Sequence, residues 1–386
     1  IFIIMFSIIS SGMVSVMTQN IGAGRPGVAY QARQLGLLFN AVAGVLMAVF
    51  LFSGAGAILR MVGIADALYE PALIYLKIVG GGCILNAVIP IFSSYLRAFG
   101  YTKQPLYATI VGNIANFVMN AVFLFVLHKG VAGVAAATVI SKILNLCIVL
   151  YFSHKLISAK NSTERIANKT VLGQIVKVGL PSACETALYN VAMMLVIRFL
   201  NQMDAEGLNV TARSYTATIS NFSYCVGAAL AQANAIMTGW HIGAGELEEC
   251  DRGTKRAAFV GVCVAVCMET AIVLGSGFIM PLFTDNPEMT ALVRKLLAID
   301  IVLEIGRVTN LVFGQALKTS GDAVFPAVIA AVFMFVFAVG GTWLFGISMG
   351  LMAVGAYIGL ASDECVRAVG MVWRWKTGKW RTKKLV

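Results

Sequence analysis

The chain has 386 residues, 59% of them hydrophobic and only 12% charged, with a formal net charge of +11. A soluble domain carries about 25% charged residues to keep its surface wet, so this composition excludes an ordinary soluble protein. It also excludes nucleic acid as the partner behind the basic balance, because no soluble domain carries the lysines and arginines; they suit anionic headgroups at a membrane surface.

Apolar runs of about 20 residues or more are long enough to cross a bilayer core as helices. They predict eleven spans, at 1–17, 35–59, 72–96, 105–127, 131–154, 173–201, 209–238, 257–283, 291–317, 323–345 and 349–373. The first opens on Ile1 inside its apolar run, with no basic segment or cleavage site of a signal peptide before it. The expectation is therefore a fragment whose N-terminus is missing. The 38 glycines suit close packing of membrane helices. Seven of the eight cysteines, Cys83, Cys147, Cys184, Cys225, Cys263, Cys267 and Cys365, lie in apolar runs and read as reduced, buried thiols. Cys263 and Cys267 are four apart, which suits no metal motif. His128, His154 and His241 stand near helix ends and form no cluster.

Lysine and arginine fix the orientation. With the loop after the first span inside, the inside segments hold 18 of these residues and the outside segments four. The C-terminus is then cytoplasmic, in a multi-pass protein of an inner membrane.

The chain contains its own copy. Ile21-Gly22-Ala23-Gly24 recurs as Ile242-Gly243-Ala244-Gly245, Gly54 and Gly56 as Gly275 and Gly277, and Gly100 and Pro105 as Gly321 and Pro326. Gly130, Val134 and Ala136 recur as Gly350, Val354 and Ala356. A near-constant offset across separate loops is a duplication. The repeat unit is six spans, so both copies enter the membrane from the same side as parallel repeats. The predicted fold is an all-α integral membrane protein of two six-helix lobes, twelve helices in the parent and eleven here. Residues 1–157 form an N-lobe lacking its first helix and part of the second, 158–172 a cytoplasmic linker, and 173–386 a C-lobe. Two such bundles suit a cavity between them and alternating access by rocking.

Ionisable residues in an apolar span are costly and are functional candidates by default. Glu185 follows Pro181, whose missing N–H offers a kink and a hinge. Asp300, Glu304 and Arg307 lie on one span, and Asp363, Glu364 and Arg367 on another. At ~1.5 Å per residue, Glu185, Asp300, Glu304 and Asp363 all sit very roughly 15–20 Å into their spans. Glu304 with Arg307, and Glu364 with Arg367, are i,i+3 neighbours that can neutralise each other, a supporting charge network. Glu185 and Asp300 lack such a neighbour. They, with Glu304, are the candidates for binding H⁺ or Na⁺, with Glu185 and Asp300 the pair for Na⁺. The first half carries amides instead. Asn86, Asn113 and Asn116 are candidates for its cavity, as is Tyr189 in the second half; hydrogen bonding between helices is the competing reading.

These residues resemble the multidrug and toxin extrusion (MATE) family. Gln19-Asn20 through Gly24, with Arg33, looks like the loop after its second helix, and Tyr95-Leu96-Arg97 with Gly100 the loop after its fourth. Gly179-Leu180-Pro181 with Glu185 looks like its seventh helix, Leu303-Glu304 with Arg307 its tenth, and Asp363-Glu364 with Arg367 its twelfth in a bacterial subgroup. The resemblance covers essentially the whole chain. It implies export of drugs or metabolites in exchange for H⁺ or Na⁺, with coupling carboxylates in the seventh and tenth helices. Glu185 lies nearer its proline than the family's best-known arrangement places that carboxylate. Other branches rely on an aspartate in the first helix, which this sequence lacks.

The leading reading is a secondary-active exporter of small amphipathic organic cations, acting as a monomer in the lipid bilayer, with no cofactor beyond the coupling ion. The alternative is a flippase for a lipid-linked oligosaccharide, which calls for a more basic cavity than Lys142 and Lys77 supply. An enzyme would need a constellation such as HExxH or GxSxG, and an ATP-driven pump a P-loop; the sequence has neither.

Overall fold

A computed structural model describes residues 2–157, 164–204 and 207–386. The described chain is helical, with no strand among those residues. It divides into two compact units, Ile1–Gly179 and Leu180–Val386.

In the first unit, α1 (Phe2–Gly22), α2 (Pro26–Val62), α3 (Asp66–Gly81), α4 (Cys83–Ala98), α5 (Lys103–Ala121) and α6 (Gly130–Leu156) follow in order. The predicted span 72–96 lies within one apolar span, Asp66–Ala98, which a turn at Gly82 divides into two helices. The run Gly80-Gly81-Gly82 carries little helix propensity, and the ladder breaks at Gly82 before resuming at Cys83. The second unit holds most of α7 (Asn168–Met203), then α8 (Leu208–Ala244), α9 (Leu247–Ile279), α10 (Pro287–Ser320), α11 (Val324–Phe333, continued by π-helical turns to Ser348) and α12 (Met352–Lys376). Pro181 lies inside α7, which runs through it without interruption.

The expected linker 158–172 is only partly a linker. Residues 158–163 lie outside the described residues, and Asn168 to Leu172 already form the start of α7. The units divide later, after Gly179, because the first turns of α7 pack into the first unit. Gln31 donates to the Ile166 carbonyl at 2.7 Å, and Gly12 lies against the backbone of Ile175, where a Cβ would overlap its carbonyl oxygen.

Local structure repeats with the sequence. Gly24, Gly100 and Gly130 have φ of 74°, 85° and 54°; Gly245, Gly321 and Gly350 have 80°, 97° and 69°. These are left-handed conformations that glycine adopts without strain. Helix starts recur at the same offset, Pro26 with Leu247, Asp66 with Pro287 and Lys103 with Val324. A π-helical stretch ends both α5 (Val122–Val126) and the α11 segment (Thr342–Ser348).

The eight cysteines are free, but the expectation that they are buried holds only for Cys83 and, beyond the seven singled out, Cys250. Cys147, Cys184, Cys225, Cys263 and Cys267 are on the helix surface and Cys365 is partly covered. The apolar runs that contain them are themselves largely outward-facing, as a membrane solvent permits.

α10 is the central helix of the second unit, packed against α8, α9 and α12. Its buried positions, Val293, Leu296, Leu297, Asp300, Leu303 and Glu304, recur every three or four residues. The α10–α12 contact is backbone on backbone: a Cβ on Gly306 would lie 2.7 Å from the Cys365 nitrogen and 2.8 Å from the Glu364 carbonyl carbon.

Outside the spans, Asp204 holds the start of α8. Its carboxylate accepts the amides of Leu208 and Asn209, each at 3.0 Å, and Asn209 in turn accepts the Ala353 amide at the start of α12. Burial raises the Asp204 carboxyl, but the hydrogen bonds from Asn209, Gly207 and Leu208 outweigh it and hold it below the usual carboxylate range. A depressed folded-state value means the clasp stabilises above the unfolded carboxyl pKa of about 4. That stabilisation is lost as pH falls through the lower, folded value. Amide exchange in the first turn of α8 should therefore accelerate on acidification in the native protein. In Asp204→Asn it should be fast already at neutral pH and nearly flat; an unchanged profile in that variant removes Asp204 from the clasp.

Candidate functional site

Four helices of the second unit bring charge together at its centre. α10 presents Asp300, Glu304 and Arg307 at i, i+4 and i+7, one face of a helix. α9 buries a stripe of Thr254, Ala258, Gly261, Ala265, Glu269 and Ser276; Glu269 thus takes an inward position that alanine and glycine occupy one and two turns earlier. Glu269 and Glu304 are 0% exposed and Asp300 2%. One oxygen from each lies within 4.8 Å of the others, a group able to hold a metal ion.

These carboxylates are poorly satisfied by the protein. Among the described residues, both oxygens of Glu269, Oδ2 of Asp300 and Oε2 of Glu304 have no hydrogen-bond partner. From α8, the buried Ser220 hydroxyl stands by Asp300 and the buried Ser223 hydroxyl by Glu269. Arg307 donates to Glu304 Oε1. Arg307 also lies 3.9 Å from Glu364. Uncompensated carboxylates out of water cost several kcal/mol each, so this group calls for further positive charge, as cation or proton.

The charge network continues on α12. Arg367 donates to Asp363 at 3.0 and 2.7 Å and lies 2.7 Å from Glu364, while Asn310 donates to Glu364 at 3.0 Å. Sequence spacing anticipated the pairs Glu304–Arg307 and Glu364–Arg367; the structure adds Asp363 to the second.

Glu185 stands apart from the three-carboxylate group. It has no basic neighbour on α7, as the sequence indicates, but α10 supplies one: Lys318 Nζ is 2.7 Å from Glu185 Oε2. Tyr189, one turn on, lines two cavities. One, of about 290 Å³, is walled by Tyr189, Arg213, Tyr224, Asp300, Arg307 and Tyr357 among others. The other, of about 380 Å³, is walled by Glu185, Tyr189, Tyr224, Arg307, Lys318 and Glu364 among others.

In the first unit the candidate amides serve contacts between helices. Asn86 of α4 accepts from Lys142 of α6 at 2.7 Å, and Asn116 of α5 donates to Ser141 of α6 at 3.4 Å. Asn113 is exposed on α5.

Sequence reasoning missed Glu269. A lone carboxylate in the apolar run 257–283 is the signal that singled out Asp300, and it was there to be read. Its proximity to Asp300 and Glu304 could not be, because it depends on the rotation of α9 against α10.

The family pattern described as MatE matches residues 1–122 and 181–344. The uncharacterized transporter YisQ of Bacillus subtilis (strain 168) is 31% identical over 387 residues, spanning 99% of this chain and 85% of that protein. A crystal structure of MATE in the straight conformation superposes with a TM-score of 0.87 at 20% identity, over 98% of this chain and 86% of that one. An outward-facing multidrug resistance MATE family transporter of the MOP superfamily gives 0.88 at 19%, with the same coverage. The MATE transporter ClbM in complex with Rb⁺ gives 0.82 at 17%, again with the same coverage. At these identities the structures speak for the fold alone. Family pattern and relative together place the chain in the MATE family of membrane transporters, which are not enzymes.

Proposed function

We propose that this transporter is a secondary-active exporter of small amphipathic organic cations, driven by antiport of H⁺ or Na⁺ through alternating access of its two lobes. The observation that carries the reading is the placement of buried, partly unpartnered Asp300 at the wall of a tyrosine-lined cavity. A carboxylate there can hold the coupling ion or the cationic substrate, so that loading one discourages the other. Tyr189, Tyr224 and Tyr357 offer π-faces to an organic cation. Asp300 and Glu304 are the central coupling carboxylates, Glu185 acts beside them through its exchangeable ion pair with Lys318, and Pro181 is the hinge. ClbM, a structural neighbour, is described in complex with Rb⁺, which supports a cation site in this fold. Of the acids in that lining, Asp363 and Glu364 are already paired with Arg367, and Asp300 is the carboxylate left to meet a cationic substrate. The lysine and arginine bias puts the C-terminus in the cytoplasm of a bacterial cell, and a monomer suffices for the cycle.

The test is efflux of a fluorescent organic cation from proteoliposomes under an imposed H⁺ gradient and then a Na⁺ gradient. One gradient should drive efflux, and Asp300→Asn should reduce it at least tenfold while the protein stays folded; Glu185→Gln should also slow it. Absence of efflux under both gradients overturns the exporter reading.

A further inference from the structure

We propose that the segment after α12, folded back as a hook at the end of the second unit, is a preformed site for an anionic phospholipid headgroup. Lys376, Lys379, Lys383 and Lys384 are the groups that meet its phosphate. The inference is independent of what the transporter carries.

The hook is held from the inside. Gly378 turns the chain at φ 69°, and a short 3₁₀ turn, Lys379–Thr382, follows. Trp380 stacks on Trp375, ring centroids 4.1 Å apart and planes 10° apart, and its indole N–H donates to the Trp375 carbonyl at 3.0 Å. Trp375 donates in turn to Asp251 of α9 at 2.8 Å. Further on, Leu385 is buried, and the Lys383 carbonyl lies so close to Gly321 that a Cβ there would overlap it. With Trp380 and Leu385 turned inward, Lys379, Lys383 and Lys384 are exposed, as is Lys376 at the end of α12.

Charge is the second observation. The acids at this end are already engaged: Asp322 by Arg374, Glu248 by Arg381, Asp251 by Lys255 and Glu249 by Arg252. Among the described residues, Lys376, Lys379, Lys383 and Lys384 are left without an ion pair. On a soluble surface such lysines would simply be hydrated. Here a third observation sets their partner. α12 runs toward the hook along a bare apolar face: Val369 is 70% exposed and Trp373, four residues on, 59%. The Phe325 ring lies 6.2 Å from that of Trp373, and Val324 and Val328 are exposed on the same helix as Phe325. In a membrane this surface meets acyl chains, and an exposed tryptophan at its end marks the headgroup level. Lys376 follows Trp373 by three residues, so the lysines begin where the headgroups do.

Clustered lysines immediately beyond a membrane helix attract anionic lipid by about fivefold per lysine, so a headgroup that engages two of them gains about 25-fold. A loose basic tail would lose its freedom on binding, which subtracts from affinity; this one is ordered beforehand by Trp380 and Leu385. Lysine meets a phosphate as a point charge and needs no fixed angle of approach.

The test is native mass spectrometry of the purified full chain in detergent, titrated with phosphatidylglycerol and with phosphatidylcholine of the same acyl chains. Phosphatidylglycerol should be held about 25-fold more tightly, and raising the salt should shrink the preference. Lys379→Gln, Lys383→Gln and Lys384→Gln combined leave one lysine and should bring the two lipids to within about fivefold. Trp380→Ala keeps every charge and frees the hook, and should also erode the preference. The lysine variant carries the test if Trp380→Ala fails to fold. Lys103→Gln, Lys155→Gln and Lys169→Gln, all exposed in the first unit, remove the same charge and should leave the preference intact. Glycerol phosphate should not displace the lipid. Equal retention of the two lipids, an equal loss in the first-unit control, or displacement by glycerol phosphate overturns the assignment. An undiminished preference in folded Trp380→Ala reduces the hook to net charge and overturns the preformed site.

Discussion

Arg367→Gln is expected to destabilise the second unit by about 3–5 kcal/mol, the cost of removing one partner from a buried charge group. Arg367 is 5% exposed and compensates two carboxylates at once, Asp363 and Glu364. Taking it away leaves Asp363 with no ion-pair partner among the described residues and Glu364 with the more distant Arg307 and the amide of Asn310. The orphaned charge, rather than the lost attraction, dominates the effect. The double variant Asp363→Asn, Arg367→Gln should therefore be more stable than Arg367→Gln alone, because it removes a charge together with its partner. Thermal unfolding of the detergent-solubilised protein and of both variants checks this. A loss under about 1 kcal/mol in Arg367→Gln, as for an exposed pair, would show that water reaches the group.

Gly306→Val is expected to be comparably severe for a different reason. The added atoms would meet the backbone of Cys365 and Glu364 at 2.7–3.0 Å. A side chain in the way can change rotamer, but a helix backbone has to move as a whole. Overpacking a core commonly costs about 1–3 kcal/mol; a clash with backbone belongs at or above the top of that range. The displacement also falls within one turn of Arg307 and Asn310, whose contacts to Glu364 tie α10 to α12. Cation binding and stability should fall together. Gly253→Ala is the contrast: a Cβ added there would meet nothing within 4 Å, and alanine is the better helix former by about 1 kcal/mol. If Gly306→Val melts like the parent protein, the close approach of the two helices is wrong.

Much of the architecture was legible because bilayer thickness turns hydropathy into helix length. The duplication did the rest. α8, α10 and α12 are too polar to be counted among the helices apolar enough to span by composition alone, yet their equivalents in the repeat fix their places. α10 and α12 are polar because they bury charges, and α8 because it buries serines, threonines and asparagines. Within the site, pairs on one helix, such as Glu304 with Arg307, follow from a period of 3.6. Partners on different helices do not: Lys318 for Glu185, and Glu269 for Asp300 and Glu304, depend on how each helix is rotated about its axis. The break at Gly82 escaped notice for a related reason, since hydropathy continues across it while the hydrogen-bond ladder does not.

That break separates the two copies in more than shape. α10 passes unbroken through Leu303, the counterpart of Gly82, and carries its charges on either side. The first-unit counterparts of Glu269, Asp300 and Glu304 are Ala48, Val79 and Cys83, none of which can hold a charge at the membrane midplane. The duplication thus gives both units one backbone plan but not one charge plan: among the described residues the three carboxylates occur together in the second unit alone, and the shared plan of helices and glycine turns holds in the first without them.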